Sequence, residues 1–387
     1  MLMDFTHKLS QEGGHMWKRI VLLTGLFCLI GISVQAFPSF TTTPQVSAGS
    51  IHTVGLKSDG AVVVSGTDAY GQCDVANWSK IVQVSAGDVN TIGLKADGTV
   101  VATVITVPSN DNGQCNVGAW TKIVQVSAAY EHTVGLRKNG TVVAVGLNNL
   151  GQCNVRSWRR IAQVVADFSY TAALKTDGTV IAVGNNNYGQ CNVSGWSNII
   201  QISAYNNHVV GLRSDGTVVA VGRNDYGQCD VSSWTNIVQV SAGGTWTVGL
   251  KTDGTVVAAG DNSWDQCAVS GWSDIVQVSA GGIYHTVGLK SDGTVVAAGN
   301  PDFGECNVGL WNLGLSSLVP NIVGLSESTA EGVIRSAGLV IGGINGIYSH
   351  APYDQVIAQY PSAWTHVNAN AKIFLTISIG RHGCYGK

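Results

Sequence analysis

The chain has 387 residues, of which 12% are charged, and its formal net charge is −3. Binding to nucleic acid or to an anionic membrane needs a basic field, so this balance excludes both as leading functions. Hydrophobic residues make up 45% of the chain, which allows one large domain with a packed core and a second small one.

Residues 1–36 have the pattern of a secretory signal peptide. Lys18-Arg19 gives a positive flank, Ile20–Ile32 is the apolar core, and Val34-Gln35-Ala36 offers small residues for cleavage. Met16 is an alternative start. The apolar run is short for a membrane span, so an uncleaved anchor is the alternative to cleavage. We expect an exported protein, either secreted or associated with the cell envelope.

A repeated unit fills the chain from about Pro44 to Trp311. Its first marker, the valine or isoleucine that opens a Val-Ser-Ala-like triplet, falls at Val46, Val84, Val126, Val164, Ile202, Val240 and Val278. Its second marker is a cysteine at Cys73, Cys115, Cys153, Cys191, Cys229, Cys267 and Cys306. Seven copies at nearly one period predict a repeat architecture.

Each copy carries strand signals. In the fifth copy, Val210–Ser214 and Thr217–Val221 are rich in β-branched residues and flank Asp215-Gly216. A two-residue Asp-Gly turn predicts a β-hairpin, because its turn type needs positive φ at both central positions. The alternating run Ile237–Ala242 predicts a strand before the next hairpin, and the Cys-Asn-Val segment predicts a short fourth strand. Each copy is therefore expected to be a four-stranded antiparallel meander.

Small sheets of this kind leave open edges unless they are arranged radially. We predict an all-β fold with a seven-bladed β-propeller over residues 37–314, and an open solenoid is the rival architecture. The copies resemble the RCC1-like repeat through V-S-A-G-x-x-H-T-V-G-L-K-x-D-G-T-V-V-A-x-G-x-N-x-x-G-Q. Their compact length is closer to the secreted β-lactamase-inhibitor propeller than to the nuclear exchange factor. The resemblance implies a fold more than a function.

Residues 319–380 read as a small α+β domain. Ser326 or Ser328 can cap a helix that ends at Gly338. Strands are predicted near Val340–Ile347, Val356–Tyr360 and Lys372–Ile379, and residues 381–387 form a short tail.

The same segment resembles a PASTA domain, the module of penicillin-binding proteins and bacterial Ser/Thr kinases. The matching residues include Val319-Pro320-Asn321, Ala337-Gly338-Leu339 and Pro361. The resemblance implies a cell-wall location and contact with peptidoglycan. Trp364 stands where the family usually has glycine, so its ring is a candidate for binding.

Three positions recur in every copy, and we interpret all three as structural. The cysteines are expected to be reduced, buried packing residues, since neighbours around a ring of about 10 Å radius exceed the ~7 Å limit of a disulfide. The tryptophans at Trp78, Trp120, Trp158, Trp196, Trp234, Trp272 and Trp311 should pack between blades. A slot holds His52, Asn90, His132, Tyr170, His208, Trp246 and His285, and its histidines are expected to bond local backbone rather than a metal. We predict no metal site and no cofactor.

The binding prediction depends on variation between copies. In a four-stranded meander, the first-to-second and third-to-fourth strand loops open on one face, and the uniform Asp-Gly hairpins open on the other. Aromatic residues vary on the first face, and clustered Tyr and Trp are typical of binding hot spots. The alternative is that these rings pack between blades. The predicted binding residues are Tyr130, Phe168, Tyr170, Tyr205, Trp246, Trp264, Tyr284 and Phe303.

We find no catalytic motif, so the leading hypothesis is a monomeric, non-enzymatic binding protein of the bacterial envelope. Its propeller face would bind a protein or glycan partner, and its PASTA-like domain would contact peptidoglycan. An inhibitor of β-lactamases or penicillin-binding enzymes is the first alternative, and an envelope enzyme is the second.

Overall fold

The computed structural model describes residues 42–380, except 283, 315, 338, 364–365 and 369–371. The predicted signal peptide, the 381–387 tail, Gly338 and Trp364 lie outside the described residues.

Residues 42–314, as far as they are described, form seven antiparallel sheets of three strands. The bounds are β1 Gln45–Ala48, β2 His52–Leu56, β3 Val62–Gly66; β4 Ile81–Ala86, β5 Thr91–Lys95, β6 Val100–Ala102; β7 Ile123–Ala128, β8 His132–Arg137, β9 Val142–Gly146; β10 Ile161–Ala166, β11 Tyr170–Lys175, β12 Val180–Gly184; β13 Ile199–Tyr205, β14 His208–Arg213, β15 Val218–Gly222; β16 Ile237–Ala242, β17 Trp246–Lys251, β18 Val256–Gly260; β19 Ile275–Ala280, β20 His285–Lys290, β21 Val295–Gly299.

The sheets close into a ring. The first strand of each sheet contacts the first strand of the next, and β19 and β20 contact β1. The first strands surround a polar central channel of about 320 Å³, lined by their glutamine and serine residues. The β-propeller prediction is therefore confirmed.

The predicted fourth strand is wrong. In the fifth copy, the Cys229 amide donates to Asn224 Oδ1 at 2.7 Å and the Val231 amide donates to the Cys229 carbonyl at 2.9 Å. The amides of this segment are used in local turns, so they are not available for pairing with a third strand.

Glutamine and serine side chains join neighbouring sheets along the channel. Gln163 Oε1 accepts from the Ile202 amide and its Nε2 donates to the Ile202 carbonyl, both at 2.8 Å. Ser127 Oγ accepts from the Ala166 amide at 2.9 Å. Gln277 continues the pattern across the closure by accepting from the Val46 amide at 2.9 Å. The inner edge of each first strand is thus satisfied by side chains of the sheet before it.

The slot histidines form a second belt of contacts, and they bond the next sheet rather than local backbone. His132 Nε2 lies 2.8 Å from Thr171 Oγ1, and His285 Nε2 lies 2.7 Å from Thr53 Oγ1 across the ring closure. Thr171 already donates its hydroxyl proton to the Gln152 carbonyl at 2.8 Å, so it must accept from the imidazole. The histidine is therefore the Nε2–H tautomer.

The repeated tryptophans pack between sheets, as expected. The Trp196 ring lies so close to Gly211 in the next sheet that a Cβ there would sit 2.7 Å from Cζ3. The repeat cysteines are free but only half-buried, so the expectation of full burial is wrong. Cys191 Sγ donates to the Asn185 carbonyl at 3.2 Å, and burial raises the pKa of this thiol to about 11.

The C-terminal domain consists of β22 Ser316–Leu318, α1 Glu327–Ser336, β23 Val340–Ile347, β24 Val356–Tyr360, β25 His366–Asn368 and β26 Lys372–Ser378. β26 lies between parallel β23 and antiparallel β24. Two of its predicted strands are confirmed, the third ends one residue earlier than expected, and Ser326 caps the helix by accepting from the Thr329 amide. Its own core includes Val319, Ala330 and Ile373. Within the described part of the chain, no helix has the length and apolar character needed to cross a bilayer.

Candidate docking face

The two ends of the ring have different loops. In the third sheet, His132 pairs with Gly146, so the start of the second strand lies beside the end of the third, and the Asn139-Gly140 turn lies at the opposite end. Gly146 has a φ of 108°, and a Cβ there would lie 2.3 Å from the Glu131 carbonyl oxygen. We call the end with the first-to-second strand loops, and with the segments from the third strand to the repeat cysteine, the aromatic end. The end with the Asp-Gly and Asn-Gly turns is the hairpin end.

Two predicted residues form a stacked pair at the aromatic end. The Tyr130 and Phe168 rings lie 5.2 Å apart at their centroids, with an angle of 6° between their planes. Phe168 is 46% exposed. The second copy has a longer loop than the others, over Thr103–Gly113, and this loop reaches the pair because Asn110 Nδ2 donates to Tyr130 Oη at 3.0 Å. The long loop, with its 3-10 turn at Pro108–Asn110, thus belongs to the candidate surface.

Three further predicted residues form a second group. Trp264 meets Tyr284 edge-on at 6.0 Å between centroids, and Tyr284 lies 5.6 Å from Phe303. Trp264 is 49% exposed and Phe303 is 42% exposed. These rings touch one another without being covered, so packing between sheets does not account for their exposed surface.

Tyr205 spans the ring instead of joining either group. Its hydroxyl donates to Asp88 in the second sheet, and it lies 2.9 Å from Ser50 Oγ in the first. Because the Tyr205 hydroxyl donates its proton to the hydrogen bond with Asp88, the Ser50 hydroxyl donates to Tyr205. Tyr205 therefore fixes three loops of the aromatic end relative to one another.

Tyr170 and Trp246 do not belong to the surface. Both side chains are fully buried, at 0% exposure. Tyr170 Oη donates to the His208 carbonyl at 2.7 Å, and Trp246 Nε1 donates to Thr286 Oγ1 at 2.9 Å. The slot lies between adjacent sheets, so large residues in it form hydrogen bonds to the next sheet, as the histidines do. The expectation that these two rings bind a partner is therefore wrong.

Charge is distributed unequally between the two ends. The loops of the aromatic end carry ten carboxylates, at Asp68, Asp88, Asp111, Glu131, Asp167, Asp225, Asp261, Asp265, Asp302 and Glu305, and one cation, Arg223. Asp74, Arg156 and Asp230 lie in the segments between cysteine and tryptophan and are counted at neither end. The hairpin end, including the segments from each tryptophan to the next sheet, carries twelve cations, at Lys57, Lys80, Lys95, Lys122, Arg137, Lys138, Arg159, Arg160, Lys175, Arg213, Lys251 and Lys290. Seven aspartates accompany these, at Asp59, Asp97, Asp177, Asp215, Asp253, Asp274 and Asp292. The aromatic end is acidic and the hairpin end is basic.

The acidic groups of the aromatic end perturb one another. Burial, with a smaller contribution from Asp88, raises the pKa of Asp167 to about 6, although backbone hydrogen bonds from Phe168, Asn206 and Asn207 lower it. Burial also raises the pKa of Glu131, with a second contribution from Asp88. Asp88 itself has a raised pKa because it is buried. The raising causes are burial and neighbouring carboxylates, and no cation is among the causes that lower these pKa values.

Glu305 occupies a position that holds glutamine in the other six copies. Its side chain is fully buried, and no side chain among the described residues donates a hydrogen bond to its carboxylate. Burial raises its pKa, and hydrogen bonds from the Glu305 and Phe303 amides act against that rise. This carboxylate lies two residues from Phe303, beside the second aromatic group. Within the described residues, no three His, Cys, Asp or Glu side chains are grouped so that they could hold a metal ion.

The closed ring of short sheets, with its repeated Gln, His and Trp contacts, defines a β-propeller built from one repeated sequence unit. The chain contains RCC1 repeats, since the model of the regulator of chromosome condensation (RCC1) repeat matches residues 123–152, 199–228 and 275–305. It also has a PASTA domain at its C terminus, where the PASTA domain model matches residues 317–379. Both are generally non-catalytic binding modules.

Solved structures support the fold. The CRINKLY WD40 ectodomain of the Arabidopsis thaliana receptor kinase ACR4 is 21% identical, with a TM-score of 0.54 over 67% of this chain and 95% of that chain. The ectodomain of the Physcomitrella patens receptor kinase CR4 is 15% identical, with a TM-score of 0.54 over 88% of this chain and 98% of that chain. At this identity the likeness concerns the fold alone. No curated protein sequence matches the chain.

Proposed function

We propose that this chain is an exported, non-enzymatic binding protein of the bacterial cell envelope. Its aromatic end docks a protein or glycan partner, and its PASTA domain contacts peptidoglycan.

One observation supports the docking proposal above the others. Phe168, Trp264 and Phe303 are each between 42% and 49% exposed, in two ring clusters at the same end of the propeller. Large aromatic side chains that keep about half of their surface in water supply the contact area of binding hot spots. The hairpin end repeats one turn and offers no comparable cluster among the described residues.

The envelope proposal is supported by the domain pairing. PASTA domains are often linked to peptidoglycan and to penicillin-binding proteins, and the segment here has a core of its own. The signal-like residues 1–36 are consistent with export. A periplasmic or extracellular location of the tagged chain, found by cell fractionation, is the expected result, and a cytoplasmic location would contradict it.

The docking proposal is tested with the full chain immobilised against purified envelope proteins and glycans. Phe168→Ala and Trp264→Ala should each remove most of the captured ligand, because each deletes a ring that is about half exposed. Lys95→Ala and Lys251→Ala at the hairpin end are the matched controls and should retain it. Capture that survives both aromatic changes would contradict docking at the aromatic end.

The peptidoglycan contact has a separate test. The full chain should co-sediment with purified peptidoglycan, and a chain ending at residue 314 should remain in the supernatant. Equal sedimentation of the two would remove the PASTA domain from the proposal without affecting the aromatic end.

A further inference from the structure

We propose that the partner of the aromatic end is a protein that presents a segment rich in lysine and arginine. This inference rests on the proposed docking function and names the chemistry of the partner that fits there.

The charge distribution gives the first argument. Ten carboxylates face one cation at the aromatic end, whereas twelve cations face seven carboxylates at the hairpin end. A basic segment is therefore attracted to one end of the ring and repelled by the other, so electrostatics selects both the partner and the end at which it docks. An acidic partner would meet the opposite preference and would approach the end without aromatic clusters.

The single cation at the aromatic end provides an internal example of the recognition. Arg223 lies over the Tyr188 ring, with its guanidinium carbon 5.5 Å from the ring centroid, and its Nε donates to Asp225 Oδ2 at 2.5 Å. A cation held between an aromatic face and a carboxylate combines a cation–π contact with a charge-assisted hydrogen bond.

Each aromatic cluster also has a carboxylate on the same loop as one of its rings. Glu131 directly follows Tyr130 of the stacked pair, and Asp265 directly follows Trp264 of the second cluster. Neither carboxylate has a described ion pair, since the one salt bridge within the described residues joins Arg223 and Asp225. An incoming lysine or arginine would therefore meet a ring and an unpaired carboxylate on the same loop at each cluster.

The buried Glu305 adds an independent observation. No cation and no side-chain donor among the described residues pairs with its carboxylate, which lies two residues from Phe303. A buried carboxylate without a counter-ion favours a cation that docks close to it. Glu305 therefore adds to the attraction of the second aromatic cluster for a basic segment.

The test uses the full chain and a fluorescein-labelled twelve-residue peptide that alternates lysine and glycine. A glutamate–glycine peptide of the same length is the comparison. Fluorescence anisotropy at low ionic strength should show tighter binding of the lysine peptide, and its affinity should fall as salt is added. Equal binding of the two peptides would overturn the inference.

A pair of double variants locates the effect. Glu131→Gln with Asp265→Asn should weaken the lysine peptide by roughly two- to fivefold for each carboxylate removed. Asp59→Asn with Asp97→Asn changes the net charge equally at the hairpin end and should leave the affinity unchanged. Asn139 already fills the equivalent turn position, so these control substitutions suit the fold. Equal weakening by the two pairs would also overturn the inference.

The two proposals can fail separately. If Phe168 and Trp264 are needed for capture of an envelope ligand but the lysine peptide is not preferred, the docking function stands and the basic partner is wrong. If neither ring is needed for capture and the lysine peptide is not preferred, the docking function and the basic partner are both wrong.

Discussion

Replacing His132 with asparagine should change how the stability of the propeller depends on pH. His132 is fully buried, with Nε2 2.8 Å from Thr171 Oγ1, and burial lowers its pKa from 6.5 to about 4. Below pH 6.5 His132 binds a proton in the unfolded chain but not in the folded protein, so the free energy of unfolding decreases as the pH falls. Asn90 holds the same slot in the second sheet, so asparagine is the replacement that the fold already accommodates.

The magnitude follows from the pKa difference. A lowered histidine pKa reduces the free energy of unfolding by about 1.4 kcal/mol per pH unit between the two pKa values. From pH 6.5 to pH 5 this amounts to about 2 kcal/mol, present in the wild type and absent in His132→Asn. Asp167 works in the opposite direction, because its raised pKa lets the folded state bind a proton first, but it is common to both proteins.

Urea unfolding followed by tryptophan fluorescence, at pH 7, 6 and 5, measures the effect. The advantage of the wild type over His132→Asn at pH 7 should shrink by about 2 kcal/mol at pH 5. Parallel pH curves for the two proteins would refute the reasoning, since they would mean that His132 titrates normally in the fold.

Three further predictions concern the ring. Gln163→Ala should destabilise the protein by about 1–3 kcal/mol, because the amide and the carbonyl of Ile202 lose their partner. Gln163→Glu should also destabilise it at pH 7, because one carboxylate oxygen would face the Ile202 carbonyl oxygen; urea midpoints measure both. Trp196→Ala should cost about 3–5 kcal/mol in the same assay, since this ring packs on Gly211 of the next sheet, and a loss below 1 kcal/mol would contradict that packing. Glu305→Gln should raise the thermal midpoint at pH 7 and have little effect at low pH. The reason is that the raised pKa of Glu305 makes the wild-type protein less stable as the pH rises through that pKa. The same change in midpoint at every pH would argue against titration of Glu305.

The repeated scaffold could be predicted because the same local signals occur in every copy. The Asp-Gly turns define the hairpins, and the fixed spacing of the tryptophans indicates one packing site for each sheet. The fourth strand was wrong because Cys-Asn-Val is apolar enough for a strand, whereas its amides are used in turns anchored by Asn224 and its equivalents. Side-chain hydrogen bonds of this kind do not alter the apolar pattern from which strands are predicted.

The glutamine belt was missed although the sequence contains its signal. Gln163 and its equivalents recur in all seven copies on the partly exposed face of the first strand, where packing places no demand on a residue. A polar residue repeated without change in such a position indicates a specific hydrogen bond, here to the next sheet.

The candidate surface was only partly predictable. Variation between copies drew attention to Phe168, Trp264 and Phe303, which are about half exposed, but it also included the buried Tyr170 and Trp246. Those two vary because the buried slot accepts any ring whose polar atom can reach the next sheet. Variation between copies alone does not distinguish such a buried position from an exposed one. The bond from Tyr205 to Asp88 joins loops 117 residues apart, so no local pattern contains it.

The measurement that tests docking at the aromatic end most directly is carboxyl footprinting of the full chain with a captured envelope ligand bound. One reagent reports on both ends, because carbodiimide-activated labelling modifies carboxyl groups. It labels Glu131, Asp265 and Asp302 at the aromatic end and Asp59, Asp97 and Asp253 at the hairpin end. Ligand should protect the first three from labelling and leave the second three unchanged. Protection of the hairpin aspartates, or equal protection of both ends, would contradict the account.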